Sequence, residues 1–225
     1  MLFDLRSRGR RRTVQVIYIG LAVLIGAGLI LFGVGTGSGG GGLFGAFTGS
    51  NQHSGANGNA VTSQVKSAVA RTKKEPHSAA AWANLINARL SAANSIGYDT
   101  TSSTYTKAGK QQLTLLTQAY TRYTSLTKTP STNTATLAAK AYTQLGNWKT
   151  ASATYQAVLG GQTGDNRIHT LECVALTSYA AKDDRVAQLA QARVLTLLPT
   201  KSVRKQVKTE LEQAKTSTTV VTESC

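Results

Sequence analysis

The residues in this chain best suited to chemistry are two cysteines, three histidines and ten carboxylates. Cys173 and His169 are four positions apart, which places them on one helix face as the nearest approach to a nucleophile–base pair. No oxyanion site accompanies them, and GxSxG, HExxH and CxxC motifs are absent from the sequence. Asp183-Asp184 suits a helix cap better than a catalytic carboxylate pair. We therefore predict no enzymatic activity, no metal site and no cofactor.

The pairing of the two cysteines stays open at this point. Cys173 falls within a predicted helix, where a small core residue is commoner than a reactive thiol. Cys225 is the last residue and fits neither a prenylation signal nor a lipoprotein site. An oxidising exterior would permit a Cys173–Cys225 bridge, which sequence alone does not establish.

Residues 13–34 predict a membrane-spanning helix. The run Val14–Val34 has no charged side chain, and at about 1.5 Å per residue its helix would cross a hydrocarbon core of about 30 Å. A cleaved signal peptide would have a shorter apolar core, and the nearest small-residue cleavage site, Gly58-Asn59-Ala60, lies far downstream. An uncleaved single-pass anchor is therefore predicted. Ala22 and Gly26 would allow two such anchors to pair as a homodimer.

The charges beside this span predict its orientation. Residues 1–12 form a basic arm that contains Arg6, Arg8, Arg10, Arg11 and Arg12. The next basic residue is Lys66. Because basic side chains are retained on the cytoplasmic side, we predict a cytoplasmic N-terminus and an extracytoplasmic C-terminal domain at the cell membrane.

Residues 35–59 are predicted to be a flexible Gly/Ser-rich linker. Eleven of the 21 glycines fall between positions 33 and 58, a composition that buries too little apolar surface to offset its conformational entropy. Residues 35–40 spell GxGxxG, but they follow a membrane helix and open no βαβ unit, so nucleotide binding is not predicted.

Residues 60–215 predict a series of helices, because apolar residues recur there every three or four positions and proline is rare. Pro130 and Pro199 are 69 positions apart, close to twice the ~34-residue period of one helical repeat class. The segment AYTQLGNWKTA (Ala141–Ala151), with Tyr155 after it, resembles the helix–turn–helix of a tetratricopeptide repeat.

Two further segments resemble the same repeat. Thr177–Pro199 matches it through Tyr179, Asp183, Ala187 and Leu195, although Lys182 replaces the turn glycine and predicts a different helix end. Glu75–Leu85 resembles the start of another unit. Pro76 to Pro130 exceeds one repeat by about 20 residues, which we place in a loop near 96–110. A generic helical bundle is the alternative.

The resemblance implies an all-α protein: a transmembrane helix, a Gly-rich linker, and over residues 60–215 a tetratricopeptide-like α-solenoid of antiparallel helix pairs. Lys201–Lys215 would form a capping helix, and residues 216–225 a disordered tail. In this family a groove lined by the first helix of each pair receives an extended peptide or a partner's helix. By register that groove would contain Asn87, Asn133, Thr136, Lys140, Gln144, His169, Glu172 and Tyr179.

The function that these features predict is a bacterial membrane-anchored scaffold, which binds protein partners in the cell envelope through its groove. A second interpretation rests on charge, because residues 13–225 carry 20 basic and 9 acidic side chains. Such a domain would bind anionic envelope polymer or a lipid surface. Nucleic acid is not a predicted partner, since the domain lies outside the cytoplasm.

Overall fold

Nine α-helices and one two-stranded hairpin make up residues 56–225, the part of the chain that the computed structural model describes, with side chains from Ala60 onward. The basic arm, the predicted span 13–34 and the linker as far as residue 55 lie outside these residues. Between residues 56 and 225, no helix has both the length and the apolar character needed to cross a bilayer.

The helices follow one another with short connections. They are α1 (Ala56–Lys74), α2 (Ala79–Gly97), α3 (Lys107–Leu126), α4 (Thr132–Gln144), α5 (Trp148–Val158), α6 (Gly164–Ala180), α7 (Asp184–Leu197), α8 (Lys201–Ala214) and α9 (Thr218–Ser224). A 3₁₀ turn, Leu159–Gly161, follows α5. The all-helical class is thus confirmed. Helix α1 begins at Ala56, four residues before the predicted start of the repeat domain at residue 60.

The predicted connection near 96–110 is present between Gly97 and Lys107, but it is a paired hairpin and not an irregular loop. Strands β1 (Tyr98–Asp99) and β2 (Thr104–Tyr105) pair antiparallel between α2 and α3, and the rings of Tyr98 and Tyr105 meet edge to face with centroids 5.1 Å apart. A Cβ atom on Gly97 would collide with the backbone of Gly109, so the two helix ends approach as closely as glycine allows. These contacts order a segment whose Thr/Ser composition suggests a loop.

Helix pairs α4–α5 and α6–α7 turn in the same way. Gly146 has φ +73° and Lys182, 36 positions later, has φ +61°. In each turn the left-handed residue donates its N–H to the carbonyl three positions back, and the next residue donates to the carbonyl five positions back. The expectation that Lys182 changes the helix end is therefore wrong. The equivalence also makes Ser178, not Tyr179, the counterpart of Tyr142.

Because lysine is strained in the left-handed region, Lys182→Gly is expected to raise the free energy of unfolding by about 1 kcal/mol. Lys182→Ala is the matched control, since it removes the same side chain, including its Nζ contact with the Lys215 carbonyl (3.2 Å), but keeps the strain. Urea denaturation of the full chain measures both variants. Equal stability of the two would contradict the assignment of strain to this turn.

Small residues bring the helices together. Ala138 and Ala139 on α4, Ala151 on α5 and Ala187 on α7 are fully buried. One apolar cluster joins α2 and α3 to α4, and a second joins α6, α7, α8 and α9. Alanine at these positions lets the helices pack closely, and Tyr120, Tyr123, Tyr155 and Tyr179 are buried in the same core.

Residues 216–225 are ordered, so the predicted disordered tail is wrong. Helix α9 buries Val221 completely, and Cys225 forms a disulfide with Cys173 of α6, with their Cα atoms 5.6 Å apart. A Thr/Ser-rich segment of this length has little helix propensity of its own. The valine and the covalent bond supply the order that the composition does not predict.

Candidate binding groove

The predicted groove residues occupy three helices. Asn87 lies on α2; Asn133, Thr136, Lys140 and Gln144 lie on α4; His169, Glu172 and Tyr179 lie on α6. Asn87, Asn133, Lys140 and His169 are exposed; Thr136, Gln144 and Glu172 are half-buried; Tyr179 is buried. We call the part of the predicted groove that contains Lys140, His169 and Glu172 the open half. The part that contains Gln144, which the C-terminal tail contacts, is the covered half.

The open half gathers charges from α4, α6 and α8. Partial desolvation of the imidazole ring and the nearby positive charge of Lys140 lower the pKa of His169. Burial and the neighbouring carboxylate of Glu210 raise the pKa of Glu172 to about 7. The structure therefore places Lys140 near His169 and Glu210 near Glu172, with His169 and Glu172 three positions apart on α6.

Sequence reasoning missed Glu210 because it assigned α8 to a solvated cap. The signal was present, since Glu210 is three positions after the buried Val207 and next to the buried Leu211. An open cavity of about 460 Å³ continues along α8 beside this carboxylate. It is lined by Ser202, Lys205, Gln206, Thr209, Glu210 and Gln213.

Two predicted groove residues are not part of this charged group, and each bonds within its own helix. The Asn87 amide donates to the Ala83 carbonyl at 3.0 Å. The Thr136 hydroxyl donates to the Thr132 carbonyl at 2.8 Å. Asn87 also belongs to a helix of the other apolar cluster, so the groove prediction receives no support at that position.

The other half of the groove is covered by the C-terminal tail. Gln144 Nε2 donates to the Thr222 carbonyl at 2.7 Å, and the Tyr155 hydroxyl donates to the Cys225 carbonyl at 3.3 Å. Tyr179 lies beneath Lys215, whose Nζ is 4.9 Å from the ring centroid. Gln144 and Tyr179 are therefore engaged by the chain itself.

The disulfide blocks Cys173, which together with His169 is the pair that most resembles a catalytic nucleophile and base. His169 Nε2 lies 3.8 Å from the sulfur of Cys173, as the helical spacing predicts. That sulfur is bonded to Cys225 and cannot act as a nucleophile in this state. No group of three metal-ligating side chains converges within residues 56–225.

The outer surface of residues 56–225 is strongly basic. Every lysine and arginine in this range except Arg89 is exposed. Two ion pairs are present in it, Arg71–Glu75 and Lys215–Glu212, both between neighbours on one helix or its end. Most of the positive charge is consequently available to an external partner.

Because folding raises the pKa of Glu172 from 4.5 to about 7, protonation of this group favours the folded state. Its stabilising contribution is complete below pH 4.5 and is lost as the pH rises through about 7. Glu172→Gln, which carries no charge, is expected to add about 1–2 kcal/mol at pH 8 after allowance for solvent screening. Denaturation at pH 5 and pH 8 measures this, and exposed Glu223→Gln is the control. An equal effect at both pH values would contradict it.

Comparison of the chain with known proteins gave no resemblance to report. No family model matches it, and neither a curated protein nor a solved structure is significantly similar to it.

Proposed function

We propose that residues 60–215 are a tetratricopeptide-type repeat domain, anchored to a bacterial cell membrane by residues 13–34, that binds protein partners in the envelope. The observation that carries the proposal is the repetition of one hairpin turn at Gly146 and Lys182, 36 positions apart. A repeated hairpin with buried alanines at its helix contacts supports stacking of pairs into a solenoid.

The open half of the groove is the surface that we propose for the partner. Lys140 on α4 supplies a cation, and His169 on α6 supplies an imidazole ring that is neutral at pH 7. Glu172 on α6 and Glu210 on α8 supply a pair of neighbouring carboxyl groups. An extended peptide with polar and charged side chains has the complementary chemistry. Tethering to the membrane would raise the local concentration of the domain and its partner, so that they would associate even if the affinity between them is weak.

Site-specific photo-crosslinking in intact cells tests this proposal. A photoreactive residue replaces Lys140 or His169 in the full-length protein, and exposed Lys149 on α5 and Arg193 on α7 serve as control positions. We expect defined protein adducts at the two groove positions and none at the controls. The same adducts at all four positions, or none anywhere, would contradict groove binding.

The location of the domain has its own test. Protease added to intact cells, with the outer barrier made permeable where one exists, is expected to digest residues 60–225 and to spare the N-terminal arm. Protection of the C-terminal domain would overturn the proposed orientation.

The exposed basic surface favours a second candidate, a domain that binds anionic envelope polymer or lipid. Helix α8 presents Lys201, Arg204, Lys205 and Lys208, all exposed. Binding to anionic vesicles would then fall steeply as salt rises from about 0.05 to 0.2 M, because these charges are screened. Salt-insensitive binding, or equal binding to neutral vesicles, would exclude it.

A further inference from the structure

We infer that α9 is an internal ligand of the groove, and that the surface beneath it binds a short helical peptide with two adjacent aliphatic side chains when the tail is released. This inference deepens the proposed function and rests on it. The Cys173–Cys225 disulfide acts as the latch that decides whether the covered half of the groove is available.

The contacts of the tail are those of a peptide in a binding site. Gln144 and Tyr155, on α4 and α5, donate to main-chain carbonyls of the tail, at Thr222 and Cys225. Main-chain recognition does not depend on the side chains of the ligand. Specificity comes from Val221, which is fully buried, and from Val220, which packs against the same apolar cluster.

Most of the remaining side chains of the tail make few contacts with the groove. Thr218, Thr219 and Glu223 are exposed. An open cavity of about 290 Å³ separates Thr218, Thr219 and Thr222 from Lys110 and the turn at Gly146. The tail therefore fills this half of the groove loosely, and a peptide with larger side chains at these positions would find room.

The latch is needed because the tail is a weak ligand on its own. Helix α9 has seven residues, too few for an isolated helix to be stable in water. Within the tail, Val221 and Cys225 are the buried apolar side chains. Without the disulfide, the tail therefore opens often enough for another peptide to compete.

The latch opens by thiol–disulfide exchange with a dithiol. A thiolate of the dithiol attacks the Cys225 sulfur, which is the less completely buried of the two, and Cys173 leaves as a thiolate that takes up a proton. The second thiol of the dithiol then attacks the mixed disulfide. Cys225 is released as a thiol, and the dithiol is oxidised to a disulfide.

Thiol reactivity in the full chain tests the release of the tail. Cys225→Ser leaves Cys173 as the sole cysteine, beneath an unlatched tail. Adding Val221→Asp should expel the tail and raise the rate of Cys173 labelling by an aromatic disulfide reagent at least about 10-fold. The matched control adds Thr219→Asp, which places the same charge on an exposed position and should leave the rate unchanged. Equal rates in the two double variants would overturn the inference.

Peptide binding tests the identity of the ligand. A fluorescent peptide with the sequence of residues 216–224 should bind the Cys225→Ser, Val221→Asp chain with a Kd on the order of 0.1–1 mM. It should not bind the disulfide-bonded wild type, nor should a peptide with Asp in place of the second valine bind the opened chain. Binding to the latched wild type, or none to an opened chain with reactive Cys173, would overturn the inference.

If a variant loses its helical circular dichroism signal, the wild-type protein is measured in its place. It is compared before and after treatment with a dithiol. Hydrogen exchange at residues 218–224 should then accelerate on reduction, and unchanged exchange would overturn the inference. The crosslinks proposed at Lys140 and His169 form in the latched state. Failure of groove binding and failure of tail release are therefore distinguishable.

Discussion

Replacement of Cys225 by serine is expected to lower the free energy of unfolding by about 4 kcal/mol. The disulfide closes a loop of 52 residues, and the chain-entropy relation for a loop of this length gives about 4 kcal/mol of constraint on the unfolded chain. Urea denaturation of the full-length protein, followed by circular dichroism, measures the change.

Reduction supplies the control for this prediction. A dithiol should shift the unfolding midpoint of the wild type to that of Cys225→Ser and leave the variant itself unchanged. A wild type that is insensitive to reductant after complete unfolding and refolding in its presence would show that the bond contributes nothing to stability.

The helical architecture of residues 56–225 could be predicted from sequence because its signals are local. Gly146-Asn147-Trp148 identifies one turn, and its glycine adopts the left-handed conformation that such a turn needs. Apolar residues three and four positions apart identify the helices on either side. The same register predicts helices at Lys140, His169 and Glu172, and the structure has these residues on α4 and α6. Their role as a binding groove stays a prediction.

The second turn was mispredicted for a physical reason. Lysine at a left-handed position costs about 1 kcal/mol, which one residue of a folded domain tolerates when its neighbours fix the backbone. The hydrogen bonds from Lys182 and Asp183 back to α6 supply that constraint, and they are invisible to residue propensity.

The tail could not be predicted because its order depends on distant partners. Val221 and Cys225 meet α6, which is about 50 positions earlier in the chain, and Gln144 reaches Thr222 across 78 positions. Local composition indicates disorder, since Thr and Ser dominate the segment. A single apolar pair, Val220-Val221, was the available signal, and it carries no information about which surface it covers.

The covered groove changes what the repeat resemblance implies. A groove of this family is expected to be open along its length, whereas here the tail engages Gln144 and Lys215 lies over Tyr179, while Lys140 and His169 stay exposed. If the proposed groove binding holds, we expect partner binding in the latched state only at the open half. The apolar surface beneath Val221 is the one that we propose for a different and more hydrophobic class of peptide.

Enlargement of the buried alanines is the sharpest test of the helix-pair packing. Ala151→Leu and Ala187→Leu are each expected to lower the free energy of unfolding by about 3 kcal/mol, because both residues are fully buried where helices touch. Ala153→Leu on α5 and Ala192→Leu on α7 add the same atoms at exposed positions of the same helices, and should change stability by less than about 0.5 kcal/mol. Ala151 and Ala187 are 36 positions apart, as are the two left-handed turn residues, so a common packing role requires similar losses at both. Thermal and urea denaturation measure the four variants. A large loss at one alanine and none at the other would mean that the two hairpins share a turn but not an interface, and the repeat interpretation would fail.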